Sequence, residues 1–505
     1  MGTYFKALLA FLFITSTLSG CSEIPEVEKK TSYSIPFSQQ TDLAAMVLPY
    51  THEHPGMTGF YPLVDGQEAL WARLAIIESA QESVDLQYYI YREDNTSSLL
   101  TYTLYQAAER GVRVRVLLDD FQSRDDRGLA SLSSHPNIEI RLFNPFNYRR
   151  FRALDIFDFD RLNRRMHNKA LVVDGAIAIT GGRNIGDEYF SANNSVDFGD
   201  FDILTIGSVV PDISNQFDTY WNSQPATPIE TFIKDKAPPS PEVIASWERS
   251  LKSAFKGTKY LKKFTDLPIA QHVANHTLDF YWGSATLFYD LPSKIYSPSD
   301  TTLLLHELGE TLKRVDSKLL LISPYFVPTE AGTASLVNAA NQGLEIIIIT
   351  NSLASNDVFA VHGWYSKYRK DLLAAGIRLY EVKIDPSLKK QRSWLGSSRT
   401  SLHAKTFIID KKEVFVGSTN LDPRSAYLNT EMGVLIHAPE FTDLIYNNFE
   451  SALKKSTYRL SLNGSGEIEW HNDVQGTTYN TEPDASIWLR LGAWLAGIFP
   501  IEDWL

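Results

Sequence analysis

The chain has 505 residues, 44% hydrophobic and 12% aromatic, enough for about two to four domains around a large packed core. Its formal net charge is −12, so the molecule as a whole repels nucleic-acid phosphate, and a nucleic-acid enzyme is disfavoured. The single cysteine, Cys21, excludes a disulfide framework and a cysteine nucleophile within the fold.

Residues 1–20 carry Lys6, an apolar run from Ala7 to Ile14, and Leu18-Ser19-Gly20 directly before Cys21. This resembles a bacterial lipoprotein signal peptide, cleaved before a cysteine that receives lipid. On that reading the mature protein is lipid-anchored in the cell envelope and faces the periplasm. Ser22 is not the aspartate that retains such proteins at the inner membrane, so the outer membrane is favoured, with the inner membrane as the alternative.

Residues 21–62 are polar with scattered prolines and read as a tether, and a first lobe is expected over 63–225. Helices predicted over 68–79 and 97–110 alternate with strands over 84–91 and 112–118, the second strand ending in Asp119-Asp120. Such alternation builds a covered, largely parallel sheet. Arg149, Arg150, Arg152, Arg161, Arg164 and Arg165 crowd the next segment and suggest contact with an anionic headgroup or surface. His167-Asn168-Lys169 follows, then a strand over 170–173 ending at Asp174, a strand over 177–180, Gly181-Gly182, Asn184 and a strand over 203–206.

Residues 226–299, with their proline-rich and lysine-rich stretches, read as a connector. His272 and His276 within it have no third ligand nearby in sequence, so no metal site is expected there. The plan then restarts as a second lobe over 300–460. Helices are predicted over 303–314, 331–342 and 364–375, and strands over 318–323, 344–350 and 377–382. Residues 388–400 suggest a mobile loop ahead of His403-Ala404-Lys405, Asp410, Gly417-Ser418 and Asn420. In the tail, 461–505, the apolar segment 487–499 contains Arg490 and is shorter than the ~20 residues a spanning helix needs. With Trp488, Trp494 and Trp504 it suits a helix lying in a membrane interface or docked on the core.

His167-x-Lys169-x4-Asp174 and His403-x-Lys405-x4-Asp410 are two copies of one pattern, and the glycine and asparagine that follow keep the same spacing. More than two hundred residues separate them, so a whole domain is repeated. A histidine can attack phosphorus or protonate a leaving oxygen near neutral pH. A lysine two positions along an extended segment points to the same side and can neutralise phosphate charge. Asn184 and Asn420 can donate amide hydrogens to the same oxygens, and the glycine turns let backbone come close.

At these residues the chain resembles the phospholipase D superfamily, and within it the bacterial cardiolipin synthases. VDLQYYIY, GVRVRVLLDD, RLNRRMHNK, GGRNIGDEYF, SPYFVPT, TNSLASNDV, SLHAKTFIID, NLDPRSAYLNTEMG and the closing IFPIEDWL carry the resemblance, from about residue 63 to the C-terminus. It implies an α/β fold of two pseudo-symmetric lobes, each a mixed, mostly parallel sheet covered by helices, with one active site between them. His167 is then the nucleophile and His403 the general acid and base, while Lys169, Lys405, Asn184 and Asn420 surround the phosphate. In the family a carboxylate holds each histidine through its ring N–H. Glu431 and Asp202 occupy those places, with Asp200 a close competitor. Asp174 and Asp410 complete the catalytic motifs and are expected to buttress strand and lysine.

The resemblance implies cardiolipin synthesis, with phosphatidylglycerol as acceptor and phosphatidylglycerol or phosphatidylethanolamine as donor. Partners are then phospholipids and a membrane surface, with no nucleic acid. No cofactor or metal is expected, since phosphodiester exchange is close to isoergic and no P-loop or dinucleotide fingerprint is present. The lipoprotein cysteine departs from cardiolipin synthases in general. A hydrolytic phospholipase D, a nuclease and a non-catalytic lipid-binding protein on the same fold are the alternatives.

Overall fold

The computed structural model describes residues 29–122, 124–149, 151–192, 197–234, 236–256, 266–274, 278–297, 303–384 and 400–505. The expected signal peptide over residues 1–20, Cys21, Arg150, His276 and nearly all of the loop at 388–400 lie outside them.

The chain opens with α1 (Asp42–Glu53), β1 (Thr58–Leu63), α2 (Gly66–Glu78), β2 (Ser83–Tyr88), α3 (Asn95–Glu109), β3 (Arg113–Asp119), α4 (Asp126–Leu132) and β4 (Ile138–Phe143). The first motif feeds the hairpin β5 (Ala170–Val173) and β6 (Ile177–Gly181), followed by β7 (Asp197–Gly199), β8 (Asp202–Gly207), α5 (Val210–Trp221) and β9 (Ala226–Pro228). Next come α6 (Pro241–Phe255), α7 (Pro268–Ala274) and β10 (Tyr281–Tyr289). Lobe two repeats the plan with α8 (Leu303–Leu312), β11 (Lys318–Ile322), α9 (Thr329–Asn341), β12 (Glu345–Asn351), α10 (Phe359–Ala374) and β13 (Arg378–Val382). The short β14 (Thr400–Leu402), the motif hairpin β15 (Thr406–Ile409) and β16 (Glu413–Gly417), β17 (Met432–His437) and α11 (Pro439–Ser456) follow. Finally β18 (Thr457–Leu462), β19 (Ile468–Asn472), β20 (Thr477–Tyr479) and α12 (Ile487–Ile498) end the chain.

Local chemistry sets these boundaries. Asp65 accepts from two backbone N–H groups at the start of α2, and Asp94 and Ser97 form a reciprocal capping box on α3. Gly111 and Gly343, at φ +95° and +99°, follow α3 and α9 in a left-handed conformation that side-chain-bearing residues rarely adopt.

The strands pair into one sheet of 18, running β9-β4-β3-β2-β5-β6-β8-β1 through lobe one and β10-β17-β16-β15-β11-β12-β13-β18-β19-β20 through lobe two. Parallel pairing in this sheet is confined to β2–β3–β4 and β11–β12–β13, so it is mixed, with antiparallel pairs in the majority. The motif hairpins supply much of that antiparallel share. An inner core joins Phe60, Val172 and Ile203 of lobe one to Leu320, Ile347 and Val416 of lobe two, and each lobe has a further core under its helices.

Two expectations change here. The supposed tether is folded. Residues 29–34 cross lobe one, with Ser34 N donating to Asp218 at 2.8 Å and Arg115 donating to Ser32 O at 3.0 Å, and β1 enters the sheet. Likewise β10, inside the supposed connector, pairs with β1 on one edge and β17 on the other, joining the lobes. Proline and glycine gave these strands a loop-like composition, but partners on both sides override that local preference.

The arginine cluster is also mostly spent internally. Arg149 pairs with Asp120 and Asp126, Arg152 with Asp120 at 3.1 Å, Arg161 with Asp158 at 2.5 Å, and buried Arg165 donates to Asn144 O at 2.5 Å. A headgroup contact through these four side chains is therefore not what the structure presents. In the tail, residues 457–479 extend the lobe-two sheet, and α12 docks on α10 where Gly363 allows it. A Cβ at Gly363 would meet Ala493 O at 2.2 Å. Trp488 and Trp494, 78% and 62% exposed, lie on the outward side of that docked helix. No helix among the described residues is long and apolar enough to cross a membrane.

Candidate active site

The two motif segments meet at the lobe interface, and each is held by the other lobe. His167 N donates to Thr430 O at 2.8 Å while Thr430 N donates to Arg165 O at 2.9 Å. His403 N donates to Gly199 O at 2.8 Å, and β14 pairs in parallel with β7. The side chains repeat this crossing. His167 Nδ1 lies 2.8 Å from Glu431 Oε2, and His403 Nδ1 lies 2.6 Å from Asp200 Oδ2.

The lysines project beside their histidines, as extended backbone requires. Lys169 Nζ reaches His167 O at 2.5 Å, and Lys405 Nζ lies 2.8 and 3.1 Å from the two ring nitrogens of His403. Tyr89 meets the His167 ring edge-on at 4.9 Å between centroids, and Tyr189 meets His403 in the same way at 5.2 Å. Two hydroxyls, on Ser418 and Ser425, donate to Glu431 at 2.5 and 2.8 Å.

Asp202 does not orient a histidine. It accepts from Arg73 at 2.7 Å and from Arg183 N at 3.0 Å, buried within lobe one. Register explains why Asp200 takes its place. Gly181 pairs with Asp202 as Gly417 pairs with Gly433, so the residue equivalent to Glu431 lies two before Asp202. That correspondence could have been read from the motif glycines, with counting anchored on the strand rather than on the nearest acid. The glycine at 182 is needed for the same reason: a Cβ there would sit 2.1 Å from Asp200 Oδ1.

Asp174 and Asp410 stand apart from the reacting groups. Asp174 accepts from the backbone N–H of Gln81, Glu82 and Ser83 at 2.8–3.0 Å, and Asp410 accepts from Asp316, Ser317 and Lys318 over the same range. They pin the turns that begin β2 and β11, so their place in the motif is structural rather than catalytic. Burial opposes the charge of Asp410, but its three backbone donors outweigh that and hold the carboxyl down to about 2. Asn184 is also committed within its lobe, accepting from Ile90 N at 3.2 Å and donating to Tyr189 Oη at 3.1 Å. It places Tyr189 against His403, an indirect role that composition could not reveal. Asn420 differs: its buried side-chain oxygen has no hydrogen-bond partner among the described residues.

Burial dominates the electrostatics, yet the two halves diverge. Burial, then Lys169 and Lys405, push His167 well below the ordinary histidine value, so its ring is neutral. Its partner Glu431 is pushed up to about 7 by burial, against the pull of Lys169 and the two serine hydroxyls. Burial would also raise Asp200, but His403 and Lys405 outweigh it and hold this carboxyl well below the carboxylate range. His403 is lowered by burial and Lys405, while Asp200 raises it. Burial lowers Lys169 to about 7 and Lys405 to about 8. Among the described residues, His362, Glu381 and Glu482 have metal-ligand spacing. There Arg369 already occupies the cation position, 3.0 and 2.7 Å from the two carboxylates.

The arrangement matches known proteins. The model of the family described as "Cardiolipin synthase, PLD-like domain" matches residues 74–221 and 308–453, one match per lobe. The chain is 41% identical to cardiolipin synthase C of Escherichia coli (strain K12) over 478 residues, covering 92% of this chain and 99% of that protein. It is 26% identical to the major cardiolipin synthase ClsA of Bacillus subtilis (strain 168), covering 79% of this chain and 70% of that protein. Among solved structures, the phosphatidylserine synthase of Haemophilus influenzae Rd KW20 shares the fold, with a TM-score of 0.56 and 15% identity over 82% of this chain and 92% of that one. With both repeats matched and a site assembled between them, the chain belongs to the cardiolipin synthase family of phospholipase D-like phosphatidyltransferases.

Proposed function

We propose that the protein makes cardiolipin by transferring a phosphatidyl group to phosphatidylglycerol through a phosphohistidine on His167. The observation that carries this reading is the crossed pair of histidines with unequal carboxylate partners. His167 is neutral, with Nδ1 turned to Glu431, so Nε2 is the nitrogen that attacks phosphorus. His403 faces Asp200, which stays ionised and offsets part of the lowering that burial and Lys405 impose, so of the two histidines it is the one placed to carry the proton.

In the first step the His167 N–P bond forms, the phosphodiester P–O bond breaks, and His403 gives its proton to the departing headgroup oxygen. In the second, His403 takes the proton from the primary hydroxyl of phosphatidylglycerol, whose oxygen displaces His167 from phosphorus. Lys169 and Lys405 regain full charge when the phosphate arrives and stabilise the charge that develops on it. Donors that fit are phosphatidylglycerol and phosphatidylethanolamine. We place the protein in the bacterial envelope, anchored through Cys21 and facing the periplasm, with the outer membrane favoured.

The test is incubation with vesicles of phosphatidylglycerol and phosphatidylethanolamine, followed by lipid mass spectrometry. Cardiolipin as main product is expected. Mostly phosphatidic acid would replace the synthase reading with a hydrolytic phospholipase D, because water at ~55 M competes for the same intermediate wherever the cleft is wet.

A further inference from the structure

The turn over residues 152–158 is built inside out. Asp155 is 2% exposed and accepts from Tyr148 N at 3.0 Å, whereas Phe157 is 93% exposed. Arg152 and Arg161 point inward to Asp120 and Asn144, leaving Phe151, Ile156 and Phe157 outside. A folding chain gains nothing in water from this arrangement, since apolar surface is favoured only when it leaves water.

The turn also touches both the site and the tail. Arg152 donates to Phe121 O at 3.3 Å, Phe121 stacks on Tyr89 at 5.8 Å, and Tyr89 meets His167. On its other side Phe159 meets Trp504 edge-on at 5.8 Å. Arg424, in the loop that carries Asn420 and Ser425, ties Asn163 O at 2.9 Å to Trp504 O at 3.1 Å. The exposed apolar residues of lobe one and Trp504, six residues beyond the end of α12, thus flank one active-site loop.

We propose that residues 151–159 and the α12–Trp504 tail form one bilayer-inserting surface bordering the mouth of the cleft. Resting on the phosphatidyl-transfer reading, it lets a glycerophospholipid reach His167 and His403 while its acyl chains stay in the membrane. The commitment is to lipid because this surface borders the place where a two-chain substrate must enter. Arg161 beside this surface is paired to Asp158, and the large exposed side chains of the turn and of Trp504 are apolar, so insertion is apolar rather than driven by anionic headgroups.

The test uses the full chain carrying Cys21→Ser, so that no acyl anchor masks the result. An environment-sensitive dye on Phe157→Cys should shift to the blue on vesicles of phosphatidylglycerol and phosphatidylethanolamine and be quenched by spin-labelled acyl chains. The same dye on Ser465→Cys, in the exposed turn between β18 and β19, should not respond. Ile156→Ser with Phe157→Ser should weaken vesicle partition about tenfold and lower lipid turnover in parallel, while hydrolysis of soluble bis(p-nitrophenyl) phosphate holds within about twofold. A silent dye at position 157 on vesicle-bound protein overturns the proposal. So does a double variant that changes only the oligomeric state, which would make this face a contact between copies. If the dye inserts but no phosphatidyl transfer occurs, the surface stands and the catalytic reading fails.

Discussion

His167 Nδ1 lies 2.8 Å from Glu431 Oε2, across the lobe interface and 264 residues along the chain. His403 and Asp200 repeat the relationship in reverse, 203 residues apart. Neither lobe holds a complete histidine–carboxylate pair of this kind. Each histidine and its carboxylate come together only when the two repeats dock.

His167→Ala and His403→Ala should each lower turnover by about three orders of magnitude or more, because the two act as a unit. Quenching without acid during a single turnover should recover labelled phosphatidyl on a peptide containing His167. Label on a His403 peptide would reverse the two roles. Chelator should leave the rate unchanged, since Lys169 and Lys405 supply the positive charge.

Asp200→Asn and Asp202→Asn should separate cleanly despite their proximity. The first removes the carboxylate from His403 and should cost roughly 10²–10⁴ in turnover with modest loss of stability. The second leaves Arg73 and Arg183 short of their buried anion and should cost about 3–5 kcal/mol of stability. Gly182→Ala should behave like Asp200→Asn, because the new methyl would displace the Asp200 carboxylate. Denaturant melts alongside rates on a soluble phosphodiester distinguish the cases.

The buried Lys169 gives stability a defined pH slope. Its amine is lowered to about 7 when folded and returns to 10.5 when unfolded, so between those values the unfolded chain binds one more proton. Stability of the wild type relative to Lys169→Met should therefore rise with pH across that window, by at most about 1.4 kcal/mol per unit. For Glu431, raised to about 7 from 4.5, the folded chain binds the extra proton, so its contribution falls as pH rises through that range. Urea melts of wild type and Lys169→Met at several pH values check the first slope, and a flat difference would refute it.

Gly363→Leu should pry α12 from α10, since even a methyl there meets Ala493 O. Hydrogen exchange over residues 487–498 should quicken while that of the motif hairpins does not change. Turnover on vesicles should fall more than turnover on a soluble substrate.

By itself the sequence determined the repeat, the two H-x-K motifs, the alternation of helices and strands in both lobes, and the family. These were legible because each follows from local order: side-chain period along a strand, caps at helix ends, and spacing between a motif and its glycine. Glu431 reads as an orienting acid from the family resemblance, and it lies 2.8 Å from His167 Nδ1. Tertiary structure decided the rest. Asp202 resembles an orienting acid until the sheet register pairs it with Gly181, leaves Asp200 two residues earlier at the place equivalent to Glu431, and spends Asp202 on two arginines. β1 and β10 read as tether and connector because their partners come from distant segments, and no local pattern records which edges they will join. The same holds for Arg149, Arg152, Arg161 and Arg165, whose clustering along the chain suggested a charged face. Three-dimensional packing turned them inward to carboxylates and backbone oxygens, leaving the neighbouring aromatics outside, because buried charge is tolerated only where a partner waits and that partner is set by the fold.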